Sequence, residues 1–188
     1  MKVSSQESIK GNLLYFSPSE QEPSYFTDSL LYICDHSELG ALGLIVNRPL
    51  DLELKDLFNS MKIVENSKAE GNVYMGGPVN PGAIFILHTS EKKWDSTIEV
   101  SENISLSTSE DAIQAIASCE GPKNYLMTLG YAGWGVNQLE SELVDNAWIL
   151  IPENKDVIFN PNPNKQISEL SAFVGYDIRM ISPDFGNA

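Results

Sequence analysis

Gly130-Tyr-Ala-Gly-Trp-Gly-Val-Asn-Gln-Leu-Glu140 is the stretch that says most about the fold of this chain. Its first six residues hold three glycines and two aromatic residues, between an apolar run at 125–129 and a helix-like run that begins near Val136. Glycine tolerates backbone shapes that other residues avoid, and a helix N-terminus leaves main-chain N–H groups unpaired. We therefore expect a strand, a glycine turn at Gly133–Gly135 and a helix. Four residues of that helix share one apolar stripe: Val136, Leu139, Leu143 and Ala147.

Apolar patterns on both sides of this stretch predict the other elements. Strands are expected at 13–16, 30–34, 41–46, 73–75, 83–88, 97–100, 104–107, 125–129 and 148–151. Pro49 is expected to end the strand at 41–46, and further helices should follow caps at Asp51, Ser109 and Asn162. The strand hairpins indicate an α+β fold with a mixed sheet rather than a regular doubly wound fold. We expect a flexible N-terminus at 1–10, a single domain at 11–175 and a C-terminal tail at 176–188.

The charge of the chain limits its partners. Its 188 residues include 26 acidic and 12 basic ones, which gives a net charge of −14, and the densest basic spot is Lys92-Lys93. Such a field repels nucleic acid and anionic membranes and favours cationic partners. No apolar run approaches the roughly 20 residues that span a bilayer, and the N-terminus does not resemble a signal peptide. We expect a cytoplasmic protein without direct nucleic-acid or membrane contact, in which Cys34 and Cys119 are reduced.

Asn47-Arg48-Pro49 is placed at a strand end, where functional side chains often project. An arginine in an acidic protein can bind a carboxylate or phosphate with two parallel hydrogen bonds. The same guanidinium can instead pair with one of the many acids or donate to loop carbonyls. The second, structural role is the more common one.

His36 and His88 are the two histidines of the chain. A metal site needs three or four ligands, and the spacing of Asp35, His36 and Glu38 matches no standard motif. A general-base role for His36 stays open, because histidine titrates near neutral pH. His88 ends an apolar strand and is predicted to be a hydrogen-bonded core or rim residue. The sequence predicts no metal, no cofactor and no established catalytic residue.

Two glycine-rich segments follow strands, Gly76-Gly77 and Gly133–Gly135. Such segments can form anion-binding nests of backbone N–H groups. Neither matches the phosphate loop or the dinucleotide fingerprint, because the glycine spacing is wrong and no Lys-Ser/Thr pair follows. We interpret Gly76-Gly77 as a site of close backbone packing and leave both roles open for Gly133–Gly135. Gln138 and Glu140 are expected at the rim of the following helix.

Four segments, taken together, resemble one known family. They are Cys34-Asp-His-Ser-Glu-Leu-Gly-Ala-Leu-Gly-Leu-Ile-Val-Asn-Arg-Pro49, Gly76-Gly-Pro-Val79 with Phe85-Ile-Leu-His88, Gly130-Tyr-Ala-Gly-Trp-Gly135 with Gln138-Leu-Glu140, and Asn146-Ala-Trp148. They occur in the order typical of the AlgH/YqgE family of bacterial cytoplasmic proteins, and the resemblance covers roughly residues 11–175. Two positions depart from the family pattern: Asp35 replaces a usual Glu, and Ile84 breaks a usual Gly-Phe pair.

This resemblance implies an α+β fold with a bent, bifurcated sheet that approaches a half barrel, flanked by about four helices. It implies no established enzymatic activity and supplies no catalytic residues. The family's link to transcriptional control is genetic and does not imply direct DNA contact.

Three hypotheses about function follow. The first is a non-enzymatic regulatory or binding module that recognises an unknown protein or small molecule around Arg48 and Gly133–Gly135. Its candidate binding residues are His36, Asn47, Arg48, Gly133, Trp134, Gly135, Gln138 and Glu140. The second is an enzyme of unrecognised class, which requires His36, Arg48 and Glu140 to lie within about 10 Å of one another so that they reach one substrate atom. The third, and weakest, is a transcriptional regulator that binds DNA directly.

Overall fold

Ten strands, five α-helices and a final 3₁₀ turn make up the part of the chain that the computed structural model describes, residues 8–16, 24–63 and 67–181. The strands are β1 (Leu13–Phe16), β2 (Leu30–Ser37), β3 (Gly40–Ile45), β4 (Pro49–Glu53), β5 (Asn72–Met75), β6 (Val79–Thr89), β7 (Ile98–Glu99), β8 (Ile104–Ser107), β9 (Tyr125–Trp134) and β10 (Trp148–Ile151). The helices are α1 (Leu54–Met61), α2 (Glu110–Ala117), α3 (Gln138–Val144), α4 (Lys155–Ile158) and α5 (Pro163–Val174), and the 3₁₀ turn is Ile178–Met180. The predicted α+β class is confirmed.

The sheet forks at β9. Its main path runs β10-β1-β2-β3-β9-β6-β8-β7 with antiparallel neighbours and curls into a half barrel. One edge of β9 pairs with β6. The other edge pairs with β5, in parallel, at Thr128 and Leu129, and then with β3 from Ala132 to Trp134. The predicted mixed and bifurcated sheet therefore has a specific origin, since one long strand changes partners halfway along its length.

Glycines occupy the position where the sheet forks, because main-chain atoms of neighbouring segments are in close contact there. The Gly76 N–H donates to Leu129 O at 2.8 Å, and the Gly76 carbonyl accepts from the Ile45 N–H at 2.9 Å. A Cβ at Gly76 would lie 2.2 Å from Gly130 O, and one at Gly77 would lie 2.1 Å from the carbonyl carbon of Tyr131. No side chain fits at such distances, so the close-packing interpretation of Gly76-Gly77 is correct.

The predicted end of the third strand is wrong. Pro49 does not stop the sheet and Asp51 does not cap a helix, because Pro49–Glu53 forms β4 and α1 begins at Leu54. β4 pairs with β5, with Pro49 opposite Tyr74, and Leu50 and Leu52 pack against the core. Tertiary pairing here outweighs the local capping signal.

The turn after β9 lies later in the chain than predicted, at Val136 and Asn137. β9 continues through Trp134 because Ala132–Trp134 pair with β3. Gly133 is therefore a strand residue, and its φ is not positive. The turn is carried by Asn137, whose φ is 57°, and Val136 is 61% exposed and lies outside the helix. Only Leu139 of the predicted stripe is fully buried.

Apolar clusters cover both faces of the sheet. One, around Leu13, Tyr32 and Leu170, includes the fully buried Ile178, which follows α5. A second contains residues of α1 and α2, and a third packs beside α3. At the N-terminal side, Ser8 and Ile9 bond to His36. The predictions for residues 1–7 and 182–188 lie outside the described residues.

His88 is a hydrogen-bonded core residue, as predicted. Its Nδ1 donates to Thr89 O at 2.9 Å, and its Nε2 accepts from the Ser107 hydroxyl at 2.8 Å. Burial lowers the pKa of His88. Both cysteines are free thiols, with Cys34 buried and Cys119 exposed. Within residues 8–16, 24–63 and 67–181, no helix is long and apolar enough to cross a membrane.

Candidate functional site

His36 and Glu140 contact each other directly. His36 lies near the end of β2 and Glu140 in the first turn of α3, and their Nε2 and Oε1 atoms are 2.8 Å apart. Ile9 N–H donates to the other ring nitrogen, Nδ1, at 3.2 Å, so the proton of the neutral ring belongs on Nε2 and is donated to the carboxylate. The pKa of Glu140 is lowered, first by the hydrogen bond from its own backbone N–H and then by His36. The pair fastens α3 to the β2–β3 hairpin.

Glu142 is the main acceptor of α3. Its Oε2 accepts from the indole N–H groups of Trp134, at 2.8 Å, and Trp148, at 2.7 Å. Its Oε1 accepts from the Gln138 amide at 2.9 Å. The two indole rings are 5.8 Å apart and nearly perpendicular. One carboxylate therefore joins the end of β9, the helix and the start of β10, and Trp134 and Gln138 act within this network.

The Gly135 N–H also makes a hydrogen bond within the protein. Its N–H donates to the Gln138 side chain at 3.0 Å. That bond ties the turn to the Glu142 network and occupies the donor that an anion nest would offer. Of the two roles left open for Gly133–Gly135, the structure favours the structural one.

Asn47 and Arg48 hold the segment that leads into β2. The Asn47 side chain accepts from Leu30 N–H at 2.9 Å and donates to Asp28 O at 2.8 Å. The Arg48 guanidinium donates to Tyr25 O and Thr27 O, and it lies over the Tyr25 ring at 5.7 Å. The Arg48 guanidinium thus bonds two loop carbonyls, the arrangement that the structural interpretation predicts.

Arg48 does not share a site with His36 and Glu140. His36 pairs with Ala41 at the hairpin end of β3, whereas Arg48 lies three residues beyond Ile45 at the opposite end. At about 3.3 Å per strand residue, Ala41 and Ile45 alone are about 13 Å apart. Because the three side chains do not converge on one atom, the hypothesis of an enzyme built on them is not favoured. In the described ranges, no group of three or more His, Cys, Asp or Glu residues is placed to hold a metal ion.

The family follows from comparison of this chain and this fold with known proteins. Residues 13–179 match the family model described as AlgH-like. The chain belongs to the AlgH-like family. A UPF0301 protein of Thioalkalivibrio sulfidiphilus is 40% identical over 187 residues, which are 99% of this chain and 100% of that protein. A UPF0301 protein of Idiomarina loihiensis is 36% identical over 184 residues, which are 96% of this chain and 99% of that protein.

Two solved structures share the AlgH-like architecture. The solution structure of AlgH from Pseudomonas aeruginosa superimposes with a TM-score of 0.79 at 36% identity, over 100% of both chains. A Corynebacterium diphtheriae protein, DIP2367, superimposes with a TM-score of 0.64 at 17% identity, over 89% of this chain and 90% of that one, which shows the shared fold alone. The α+β half-barrel fold of this chain thus matches that of Pseudomonas aeruginosa AlgH.

Two exposed aliphatic residues lie on the two turns beside the α3 network. Leu39, at the β2–β3 hairpin, is 85% exposed, and Val136 is 61% exposed. Ala41 pairs with Trp134, the last residue of β9, and Leu39 and Val136 each lie in the turn just beyond that pair. A Cβ on Gly40 would lie 2.2 Å from Trp134 O, so the two turns are in backbone contact. We call Leu39, Val136 and the neighbouring exposed Glu38 the tip surface.

The segments that form the tip surface carry no positive side chain. The sequence has no lysine or arginine between Lys10 and Arg48, and none between Lys123 and Lys155. Asp35, Glu38 and Asp145 are exposed on these segments. Three exposed carboxylates, and no lysine or arginine, therefore lie on the segments that carry Leu39 and Val136.

Sequence reasoning missed Glu142 and the tip surface. The spacing of Gln138 and Glu142, four residues apart on a helix, indicates a pair. It does not indicate the two indoles, because Trp148 reaches Glu142 only where the chain returns after α3. Leu39 stands alone in the sequence, and its turn meets the turn of Val136 only through the pairing of β3 with β9.

Arg48→Ala should destabilise this AlgH-like protein by about 1–3 kcal/mol, because two loop carbonyls lose charge-assisted hydrogen bonds. Arg48→Lys should recover less than half of the loss, since one ammonium cannot reproduce the planar fork. Urea denaturation of the three proteins measures both effects. An Arg48→Ala variant as stable as wild type would contradict the structural role and return Arg48 to the candidate ligand residues.

Proposed function

We propose that this AlgH-like protein is a non-enzymatic cytoplasmic binding module whose tip surface contacts a partner protein that presents aliphatic and basic side chains. The observation that carries the proposal is the exposed pair Leu39 and Val136 within segments that lack lysine and arginine. The proposed surface is smaller than the binding region predicted from the sequence, because it excludes Arg48. Trp134, Gln138 and Glu140 belong to the hydrogen-bond networks that hold its turns in place.

The rigidity of the tip surface favours binding. His36–Glu140 and the Glu142 network hold both turns in place through hydrogen bonds of 2.7–3.0 Å. A surface that is already ordered loses little conformational entropy when a partner binds. Covering two aliphatic side chains stabilises a complex by about 25 cal/mol per Å² of apolar area.

The surrounding carboxylates give the partner its chemistry. Exposed acids around an apolar centre accelerate association with a cationic surface and disfavour an anionic one. A nucleic-acid duplex is therefore a poor partner for this surface. If the protein influences transcription, we propose that it acts through a bound protein rather than through DNA.

The test compares wild type with a Leu39→Ser/Val136→Ser double variant and with Met180→Ser. Met180 is 80% exposed and is distant in sequence from the tip, so its variant controls for the loss of an exposed apolar side chain. Proteins captured from a lysate of the native host are identified, and each candidate partner is purified for calorimetry. We expect a basic partner whose affinity falls at least about tenfold for the double variant and is unchanged for Met180→Ser.

Salt provides a second criterion. Raising ionic strength from about 50 mM to about 500 mM should weaken the complex, because exposed charges are screened. A partner that binds the double variant as well as wild type, or one that is acidic, would overturn the proposal.

A further inference from the structure

We propose that this protein has a second binding site, a groove that takes an extended peptide segment with a basic side chain. The groove has a volume of about 610 Å³ and lies between β4–β5, the start of β9 and the segment that joins α4 to α5. We call it the Tyr74 groove, with Tyr74, Tyr125 and Leu126 among its lining residues. It is separate from the tip surface and does not rest on the function proposed above.

One tyrosine of the Tyr74 groove, Tyr74 itself, has a hydroxyl that makes no hydrogen bond within the described residues. Tyr74 lines the groove and is 8% exposed, whereas the Tyr125 side chain packs with the apolar cluster of α1 and α2. Burial raises the pKa of Tyr74 and of Tyr125, so both phenols stay protonated and act as donors. The buried Tyr15 and Tyr32 differ, because their hydroxyls donate to Asp28 and Glu153. An oxygen acceptor supplied by a ligand can therefore accept a hydrogen bond from the Tyr74 hydroxyl.

The same groove exposes an unpaired strand edge. β6 covers one edge of β9, whereas the parallel pairing with β5 on the other edge starts only at Thr128. Tyr125 and Leu126 line the groove, and no described strand pairs with their β5-facing edge. Backbone N–H and C=O groups along such an edge are the partners that an extended peptide uses when it adds to a sheet.

Charge selects the side chains of the peptide. Asp51 and Glu70 line the β4–β5 wall, and no described cation lies within salt-bridge distance of either carboxylate. Lys123 lines the β9 wall. Two carboxylates face one ammonium in a protein of net charge −14, so a basic side chain is favoured. Phe159 and Pro161 add apolar contact on the third wall.

An extended peptide meets all three requirements at once. One of its carbonyl oxygens accepts from the Tyr74 hydroxyl, its backbone pairs with the free edge of β9, and an arginine side chain reaches Asp51 or Glu70. A volume of about 610 Å³ lies within the usual range for ligand sites. A small organic cation would satisfy the carboxylates but would leave the strand edge unpaired.

The test uses fluorescein-labelled, end-blocked octapeptides with randomised uncharged residues around one central arginine, and a matched set with glutamate in its place. Fluorescence anisotropy measures binding to wild type and Tyr74→Phe. Tyr74→Phe removes only an oxygen that makes no hydrogen bond in the free protein, so the fold of this variant should be unchanged. We expect arginine peptides to bind wild type, the glutamate set to bind at least tenfold more weakly, and Tyr74→Phe to weaken binding about fivefold.

Two further comparisons separate this site from the tip surface. Leu39→Ser/Val136→Ser should bind the peptides like wild type, and a bound peptide should slow hydrogen exchange at the Tyr125 or Leu126 amide. The proposal is overturned if no peptide of the arginine set binds wild type, or if Tyr74→Phe binds equally well. Loss of binding in the tip double variant would overturn it too, and would assign the peptides to the tip surface.

Discussion

Gly130→Ala should destabilise the protein by about 2–5 kcal/mol, which is a large part of the stability of a domain of this size. Gly130 has a φ of 71°, where a side chain costs about 1–2 kcal/mol. A Cβ there would also lie 2.5 Å from Gly77 O, a backbone atom that cannot move without opening the fork of the sheet. Urea denaturation monitored by tryptophan fluorescence measures the loss.

Two other glycines serve as controls for Gly130. Gly82→Ala should be neutral or slightly stabilising, because nothing lies within 4 Å of its added Cβ. Gly133→Ala should cost less than about 1 kcal/mol, because its φ is ordinary and its Cβ meets the Tyr131 ring, a side chain that can shift, at 3.1 Å. A Gly130→Ala variant as stable as Gly82→Ala would disprove the backbone-contact explanation of the fork.

Glu142→Ala should lower the free energy of unfolding by a similar amount, about 2–5 kcal/mol, for a different reason. Trp134 and Trp148 are buried, and the variant leaves both indole N–H groups without an acceptor. An unpaired buried donor costs about 1–3 kcal/mol. The emission of the native variant should also shift, because both tryptophans lose a charged neighbour.

Two matched variants isolate the role of Glu142. Glu142→Gln should restore much of the stability, because its amide oxygen still accepts from the indoles. Glu38→Ala should change the free energy of unfolding by less than about 0.5 kcal/mol, because Glu38 is exposed. If Glu142→Ala and Glu38→Ala have equal stability, the carboxylate does not organise the α3 region.

Local patterns in the sequence predicted most elements of the fold. Alternating and continuous apolar runs gave the buried strands, and Asn162-Pro163 correctly gave the start of α5, where the Asn162 side chain accepts from Asn164 N–H. These predictions succeed because periodic burial and capping are properties of neighbouring residues. The sequence also predicted that Gly76-Gly77 serves close packing and that His88 is a satisfied core residue.

Pairing between distant residues decided the rest. β4 exists because it pairs with β5, and β9 runs on to Trp134 because it pairs with β3, which moved the turn away from Gly133. The eight candidate residues separate for the same reason. His36, Trp134, Gly135, Gln138 and Glu140 belong to the α3 region, Gly133 is a strand residue beside it, and Asn47 and Arg48 hold a loop at the other end of β3.

The sequence by itself determined the family, the α+β class, the acidic field and the buried strands, because each depends on composition or on residues close together in the chain. Only the tertiary structure decided which side chains meet. Glu142 meets Trp148 because the chain turns back after α3. The turn of Leu39 meets the turn of Val136, and Tyr74 lies beside the free edge of β9, because strands far apart in sequence pair in one register. That register is set by the packing of the whole sheet, where a shift of one residue would turn every buried side chain to the opposite face.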